Sequence, residues 1–465
     1  MIDFIKKHYL FSLIVVAFSV ITIFFSWVLF KGYFFSDDFT WLWHGQKIGS
    51  ISDVLQFKMA SFYSPVMNFL FALWWRLFGY VAWPYFVINL ILHVGVSVVV
   101  GFLTSKIVKN KKVGLIATGL FAMAGGAYEP VIWIGANLHL VVVLFLLLGL
   151  YFCWQYFESK KVINLLLSLV FIVLSLLTKE IAVVGIGLLF LLFVYNWEIK
   201  SFLKDKKLWL YSSFVILIYG FYGWQQYLWQ KQSYWLSSGT WDFNLKYLAK
   251  IPLVLFDVVV PSQWFVGFLS HKSAILIAVV ILIVIVGGLV KFFRNKVLWF
   301  TVCWMIFSVM PTIFFKSALW WEPIASRYTY LPRVGLVIGL SSFLYFLWEK
   351  KNGVVKYGCL FVLISIIVYG QVVAVFNMGD KYPFVYQTGE SLVEVIEDAR
   401  VSEFDKICVL PGRPFENNVS YIVGAGKVVA NYAENDILFV EDVNNCPISY
   451  IIEWDKANEK FIKYE

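Results

Sequence analysis

The sequence predicts an all-α polytopic membrane protein of about eleven transmembrane helices, followed by a small C-terminal soluble domain of α/β or α+β type. Three observations carry this prediction. The 465 residues are 61% apolar, 20% aromatic and only 14% charged, with a mean hydropathy of +0.77. Soluble domains average about 45–50% apolar and about 25% charged residues. Apolar runs of spanning length, roughly 20 residues each, recur along the chain. The charge also divides: residues 1–376 hold 30 Lys/Arg against 13 Asp/Glu, whereas 377–465 hold 8 against 16, giving a net charge of +9 overall. Disordered, collagen-like, coiled-coil and disulfide-scaffold classes are excluded by the same composition. Nucleic acid is not an expected partner, because the lysines lie between apolar spans, where orientation in a bilayer accounts for them.

Spans are expected near 9–30, 84–105, 113–128, 137–157, 162–178, 181–197, 208–229, 271–293, 297–315, 333–348 and 355–376. The first is long, follows Lys6 and Lys7 and lacks a small-residue cleavage site, so it reads as an uncleaved anchor. Orientation follows from six short basic segments, at 6–7, 106–112, 160–161, 200–207, 291–296 and 350–356, which all fall on one face. Lys and Arg are retained on the cytoplasmic side. The N-terminus is therefore expected in the cytoplasm and the tail outside it, in the plasma membrane if the host is prokaryotic. Residues 162–197 form a nearly unbroken apolar stretch, which as one helix would reach about 54 Å, against a hydrocarbon core of roughly 30 Å. Two crossings are required, with Lys179 and Glu180 in a tight outer turn.

Two outer segments are neither spans nor simple loops. Residues 51–82 mix aromatic residues with Lys58 and Arg76, as an interfacial amphipathic helix or re-entrant element does. Residues 241–270 read similarly, with Pro252 and Pro261 limiting helix length. The domains are thus 1–376, membrane-embedded, and 377–465, extracytoplasmic. In the tail, Ser391 and Glu394 form a capping-box pattern for a helix to about Arg400. Strands are predicted at ICVL (407), YIVG (421), KVVANY (427), ILFV (437) and SYIIEW (449). Cys408 and Cys446 both fall in this domain, and spacing alone does not decide whether they pair.

Candidate chemistry collects on the outer face. Asp37 and Asp38 follow the first span in YFFSDDFTWLW, an otherwise uncharged aromatic stretch. They are an acidic loop start or a catalytic centre: a carboxylate at a partly dehydrated surface can have a raised pKa and accept a proton from a hydroxyl nucleophile. Adjacent side chains diverge, so one of the two is expected to face a site. Glu129 lies at the outer end of the third span, as a turn cap or a catalytic acid, and His139 enters the fourth, as a satisfied helix-end histidine or a ligand. His93 lies deeper and reads as a packing residue. Lys179 and Glu180 share the outer face, as do Glu322, Arg327 and Tyr328 in LWWEPIASRYTYLPRVG; for Arg327 an interfacial anchor is the plain alternative. Acids and cations from at least four separated segments thus converge above apolar helices. That suits a reaction on a lipid-linked phosphate, with a carboxylate base and cations holding the leaving phosphate. A transporter should instead carry ionisable groups near the midplane. The chain has no HExxH and no Cys pair at zinc spacing, though two acids can hold a divalent cation.

Taken in order, SDDF, SFYSPVMNFLFALWWRLFG with VINLILH, YEPVIWIGAN, LLTKEIAVV and ASRYTYLPRVG resemble the landmarks of the C-type (GT-C) polyprenyl-phosphate-sugar-dependent glycosyltransferases. The likeness is nearest to dolichyl-phosphate-mannose-type mannosyltransferases and spans about residues 10–345. It implies an integral membrane hexosyltransferase of GT-C architecture, using a sugar on a polyprenyl or dolichyl phosphate and inverting the anomeric carbon. Carried over by position, Asp37 or Asp38 would be the base or orient the acceptor. Lys179 and Arg327 would contact the donor phosphate, and Glu129 and Glu180 would orient the acceptor or the cations. The acceptor would be a protein, lipid or glycan. Ser326 stands where many relatives carry an acid, and Asn137 and His139 where an Arg-containing segment is common. These departures bear on the sugar and acceptor. The rival readings are a transporter or flippase of lipid-linked glycan and a membrane scaffold working through its tail.

Overall fold

The computed structural model describes residues 8–56, 63–123, 128–196, 204–230, 244–259, 295–314, 326–349, 385–402, 406–410, 425–426, 429–430, 437–439, 450–455 and 460–464. The expected spans at 271–293 and 355–376, Glu322, Cys446 and the 376/377 boundary lie outside the described residues. The other nine expected spans coincide with helices. These are α1 (Tyr9–Phe25), α4 (Trp83–Ile107), α5 (Lys111–Met123), α6 (Leu138–Ser159), α7 (Val162–Leu176), α8 (Gly185–Asn196), α9 (Lys206–Gln230), α11 (Lys296–Val309) and α12 (Pro332–Glu349). Two segments, Trp83–Ile107 and Ile134–Ser159, are each long and apolar enough to cross a membrane. The break between α7 and α8 falls at Lys179 and Glu180, and a 3-10 turn over Glu180–Val184 leads into α8.

The remaining helices belong to the connecting segments. Asp38–Lys47 forms α2, and the described part of residues 51–82 holds a short helix at Ile51–Gln56 and α3 (Pro65–Phe78). One face of α3 buries Met67, Asn68, Phe71 and Trp74 against α2, with Trp41 stacked on Phe71 at 4.9 Å. Pro65 stands in the first turn of α3, where its missing N–H costs nothing. In the 241–270 segment, a 3-10 turn at Leu245–Lys250 runs into α10 (Ile251–Val259).

A helix apolar on every side belongs inside a bundle, and α6, buried along most of its length, lies against α4 and α7. Close approach between α4 and α5 depends on two glycines. A Cβ at Gly101 would lie 2.9 Å from Gly114 O and collide with Thr118 Oγ1, and one at Gly114 would collide with Gly101 O. Small residues that let backbones approach are the usual means of helix contact where lipid removes the hydrophobic drive. His93, deep in α4, is hydrogen-bonded at both ring nitrogens: Nε2 donates to Ala122 O at 3.0 Å, so Nδ1 accepts from Tyr330 Oη at 2.6 Å.

In the tail, a helix over 385–401 (α13) precedes a four-stranded sheet. Its strands are β1 (Ile407–Val409), β2 (Ile437–Phe439), β3 (Tyr450–Asp455) and β4 (Lys460–Lys463), in the order β2-β1-β3-β4. β1 is parallel to β2 and β3, with Ile407 opposite Ile437 and Tyr450, and β4 closes the edge antiparallel to β3. Three predicted strands appear, and β4 is additional. The strand expected at KVVANY is corrected where described: Ala430 N donates to Gly426 O four residues back, a local helical bond in place of a ladder bond. YIVG lies outside the described residues. The capping box is also corrected. The helix is already formed by 385, and mid-helix Ser391 Oγ donates to Thr388 O and accepts from Phe461 N.

Gly101→Leu is expected to force α4 and α5 apart and destabilise the protein by about 1–3 kcal/mol or more. Thermal unfolding in detergent should show the fall, while Gly220→Ala, where a Cβ meets open space, should leave the melting temperature nearly unchanged.

Candidate active site

Asp38 is fully buried in the first turn of α2. Its Oδ2 accepts from Phe35 N at 3.0 Å and its Oδ1 from Gly135 N, 97 residues along the chain. The inward turn depends on Ser36, whose φ of 51° lies in the left-handed region that non-glycine residues adopt only locally. Burial lifts the Asp38 carboxyl well above the usual range, and the Asp37 charge adds to the rise against the two backbone hydrogen bonds. Asp37 points elsewhere. It caps α2 without giving its side chain to a capping bond and stays exposed. Protein nonetheless rings it: desolvation lifts its pKa above the ordinary value, while Arg327 and Lys179 pull it down. Exposure together with desolvation describes a group in a cleft.

The cations stand on two other segments. Arg327, in a 3-10 turn at Ser326–Thr329, pairs with Glu129 Oε2 through Nη1 at 3.2 Å and through its backbone N at 3.0 Å. Burial works against its charge, but Tyr328 and Glu129 more than compensate and raise its pKa. Its guanidinium lies over the Trp133 ring at 5.2 Å and the Tyr328 ring at 5.1 Å. Trp133 in turn stacks on Phe35 at 5.5 Å, and Tyr328 meets His139 edge-on at 5.3 Å. Lys179 Nζ lies 3.6 Å from Glu180 Oε1, and both side chains are largely covered. His139 is buried in electrostatic reach of Lys179 and Arg327, and its Nε2 has no hydrogen-bond partner among the described residues.

Beside Lys179 opens an apolar groove of about 550 Å3, lined by Leu55, Tyr63, Leu176, Leu177, Phe221 and Tyr222 among others. Val66 N donates to Leu177 O, which fixes the start of α3 against this groove. Tyr222, on its wall, is in electrostatic reach of Glu180.

The structure therefore brings together Asp37, Asp38, Glu129, His139, Lys179, Glu180, Arg327 and Tyr328, with Asp38 withdrawn behind Asp37. Sequence reasoning missed three contributors. Trp133 carries Arg327. Gly135 leaves room for the Asp38 carboxylate, since a Cβ there would lie 3.0 Å from Oδ1. Tyr386, in α13, donates to Ile132 O at 2.6 Å and meets Phe35 edge-on at 5.8 Å. The glycine after an aromatic run in WIGAN was a usable signal; for Tyr386 there was none, because the tail offers no local clue to its docking. For the divalent cation that the acid pair could hold, the two carboxylates are placed differently. Both Asp38 oxygens are taken by backbone N–H groups, and no cluster of three His, Cys, Asp or Glu ligands occurs among the described residues. A divalent ion would find Asp37 as its one open carboxylate in this pair.

No protein-family model matches the chain, and no curated relative does. Solved structures do. The oligosaccharyltransferase AglB of the archaeon Archaeoglobus fulgidus, in complex with an inhibitory peptide and a dolichol-phosphate, matches with a TM-score of 0.52 and 12% identity over 94% of this chain and 65% of that one. The same organism's oligosaccharyltransferase, tethered to an acceptor peptide containing the NVT sequon, gives 0.51 and 11% over 92% and 64%. A third structure, complexed with Zn and sulfate, gives 0.50 and 11% over 90% and 61%. The likeness is one of fold, and the chain spans less than two thirds of the length of these neighbours.

Glu129→Gln is expected to destabilise the protein by about 1–3 kcal/mol, because it removes a charge-assisted partner from a largely covered arginine. A melting temperature equal to that of the parent chain would show that Arg327 is held by Trp133 and Tyr328 alone.

Proposed function

We propose that the chain is an integral membrane glycosyltransferase of GT-C architecture. It moves a sugar, mannose or another hexose, from a polyprenyl-phosphate donor to an extracytoplasmic protein, lipid or glycan acceptor. Residues 1–376 form the transferase domain and 377–465 an extracytoplasmic domain, with the N-terminus in the cytoplasm. The observation that carries the reading is Asp37: an exposed but largely desolvated carboxylate in the field of Lys179 and Arg327, with an apolar groove lined by Leu177, two residues before Lys179. A polyprenyl chain fits such a groove, and a phosphate fits the two cations. That a protein of this fold has been captured with a dolichol-phosphate supports the donor class.

In this reading the acceptor hydroxyl attacks the anomeric carbon while Asp37 takes its proton. The bond from that carbon to the phosphate oxygen breaks, and polyprenyl phosphate leaves. Its growing charge is met by Lys179 and Arg327, which cost no reorganisation because Glu180, Glu129 and Trp133 already hold them. Attack opposite the leaving group inverts the anomeric centre. Asp38 does not touch substrate. It fixes the turn that presents Asp37.

The test is release of free polyprenyl phosphate from a panel of polyprenyl-phosphate sugars by the purified protein, with candidate acceptors and with magnesium, manganese or chelator. Acceptor-dependent release should fall by about 10²–10⁴ in Asp37→Asn, the usual range for loss of a general base. Release that is equal in Asp37→Asn and the parent protein would remove the base assignment. Movement of intact lipid-linked glycan without release would favour a flippase.

The pH profile carries its own sign. Asp37 must be ionised to act, and its pKa is raised, so activity should be lost on acidification above the ordinary carboxylate range. Lys179 stabilises the ionised form, so Lys179→Ala should move the acidic limb of kcat/KM to higher pH, with Arg327 still in place.

A further inference from the structure

The C-terminal end of α6 lies at the far side of the bundle from the site. Its 22 residues separate the two ends by about 33 Å at 1.5 Å per residue. A second cavity, of about 440 Å3, opens there, lined by Tyr156, Lys160, Lys204, Asp205, Lys206 and Lys207. Lysines on a cytoplasmic face are ordinarily explained by orientation alone, but those on this face differ in how they are held. Lys106 pairs with Glu158 at 2.6 Å, and Lys111 and Lys112 lie over the rings of Tyr9 and Tyr345. In the cavity Asp205 is already committed. Both its oxygens accept from Tyr156 Oη at 2.9 Å, Oδ1 accepts from Leu208 N at 3.3 Å, and Oδ2 lies 3.5 Å from Lys160 Nζ. Lys204, Lys206 and Lys207 have no ion-pair or ring partner among the described residues, and all three are exposed.

These three ammonium groups also stand at the N-terminus of α9, a 25-residue helix whose dipole already places positive charge there. Three exposed cations at a helix start make a site of positive potential that an anion fills favourably. The surroundings name the kind of anion. Exposed Trp209 and Leu210 follow Lys207 on α9, and exposed Val162, Ile163 and Leu166 follow Lys160 and Lys161 on α7, so apolar surface for acyl chains stands next in the chain to the cations. A soluble phosphate would use the cations and leave that surface unused.

We infer that this cavity binds the phosphodiester head group of an anionic phospholipid, at the membrane face opposite the proposed active site. Tyr156 and Asp205 fix its floor, Lys160 neutralises Asp205, and Lys204, Lys206 and Lys207 supply the ligating charge.

The test uses the full-length protein in detergent, with bound lipid read by native mass spectrometry during titration with phosphatidylglycerol, phosphatidylcholine or inorganic phosphate. Each cation near a membrane surface contributes on the order of fivefold in affinity. The triple variant Lys204→Gln, Lys206→Gln, Lys207→Gln should therefore lose roughly a hundredfold in phosphatidylglycerol affinity. The matched variant Lys109→Gln, Lys111→Gln, Lys112→Gln, with the same charge change, should lose little. The corresponding Lys-to-Arg triple should retain binding. If the Gln triple melts lower than the parent, Lys207→Gln alone decides, with an expected loss of roughly fivefold. Equal losses in the two Gln triples would reduce the effect to diffuse surface charge and overturn the proposal. So would phosphatidylcholine binding as tightly as phosphatidylglycerol, or inorganic phosphate displacing it at equal concentration, which would make the cavity a soluble-anion site. None of these readouts depends on glycosyl transfer.

Discussion

Asp38 ties the loop after the first helix to the loop before α6, and the rest of the outer face is arranged around that tie. One carboxylate accepts from Phe35 N, in the loop, and from Gly135 N, in the 3-10 turn Ile134–Ala136. Hydrogen bonds to a charged acceptor are each worth about 1.5–3 kcal/mol, yet they do not offset the loss of solvation, since the Asp38 pKa stays well above its ordinary value. A carboxyl whose folded pKa is raised favours the folded state fully only below its unfolded pKa, and that contribution is lost as pH rises through the folded pKa. In its ionised form the group is therefore a burden on stability. Its position is explained by what it holds in place. Turning Asp38 inward through the left-handed Ser36 leaves Asp37 facing out, and capturing Gly135 fixes Trp133 two residues before it.

Trp133 extends the tie to the cations. Phe35 stacks on the indole and Arg327 lies over it, with Tyr328 also against the guanidinium and His139 against Tyr328. A planar guanidinium stacked on rings and paired with Glu129 loses little further freedom when it meets an anion. The tail takes part in the same assembly. Tyr386 reaches Ile132 O and packs on Phe35 and Phe86, while Tyr80 donates to Glu397 at 2.7 Å. The acidic charge of α13 therefore borders the loop that carries Asp37 and Asp38, and burial and the Asp38 charge keep the Tyr386 hydroxyl protonated well beyond its usual range.

What was legible in the sequence follows from how local each signal is. Long helices announce themselves through runs of apolar residues, and Lys179-Glu180 interrupts one such run where α7 ends and the turn into α8 begins. The adjacent acids could be read as diverging because consecutive side chains cannot share one direction. The tail was less legible. Ser391 and Glu394 carry the letters of a capping box, but a helix that starts earlier, on Tyr386 and its contacts, places Ser391 mid-helix and gives its hydroxyl to Phe461. The β4 strand, KFIK, is short and half charged, and it forms because β3 offers it an edge. Neither the Glu129–Arg327 pair, 198 residues apart, nor the tie from Asp38 to Gly135 has any local signature. Long-range contacts between polar groups become visible only once the helices have been packed.

Buried polar atoms without hydrogen bonds among the described residues occur along the bundle helices, at Thr104, Ser175, Thr301 and Ser308, and beside the site. His93 and Ser168, deep in the bundle, each find two partners. Asn137, fully buried, finds none for either side-chain atom, and the Nε2 of His139 and Oγ of Ser326 are likewise without one among the described residues. Each unmet buried group costs about 1–3 kcal/mol, and packing selected for stability alone would replace them with apolar residues of similar size. They sit instead on the two segments that carry Trp133 and Arg327: Asn137 two residues past Gly135, Ser326 directly before Arg327, and His139 against Tyr328. Asn137, His139 and Ser326 are also where the sequence parts from the residues common in the glycosyltransferases it resembles. A hydroxyl within a helix can turn to the carbonyl one turn back, an outlet that the Asn137 amide and the His139 ring lack, so their placement on the segment that holds Trp133 points to a requirement other than folding.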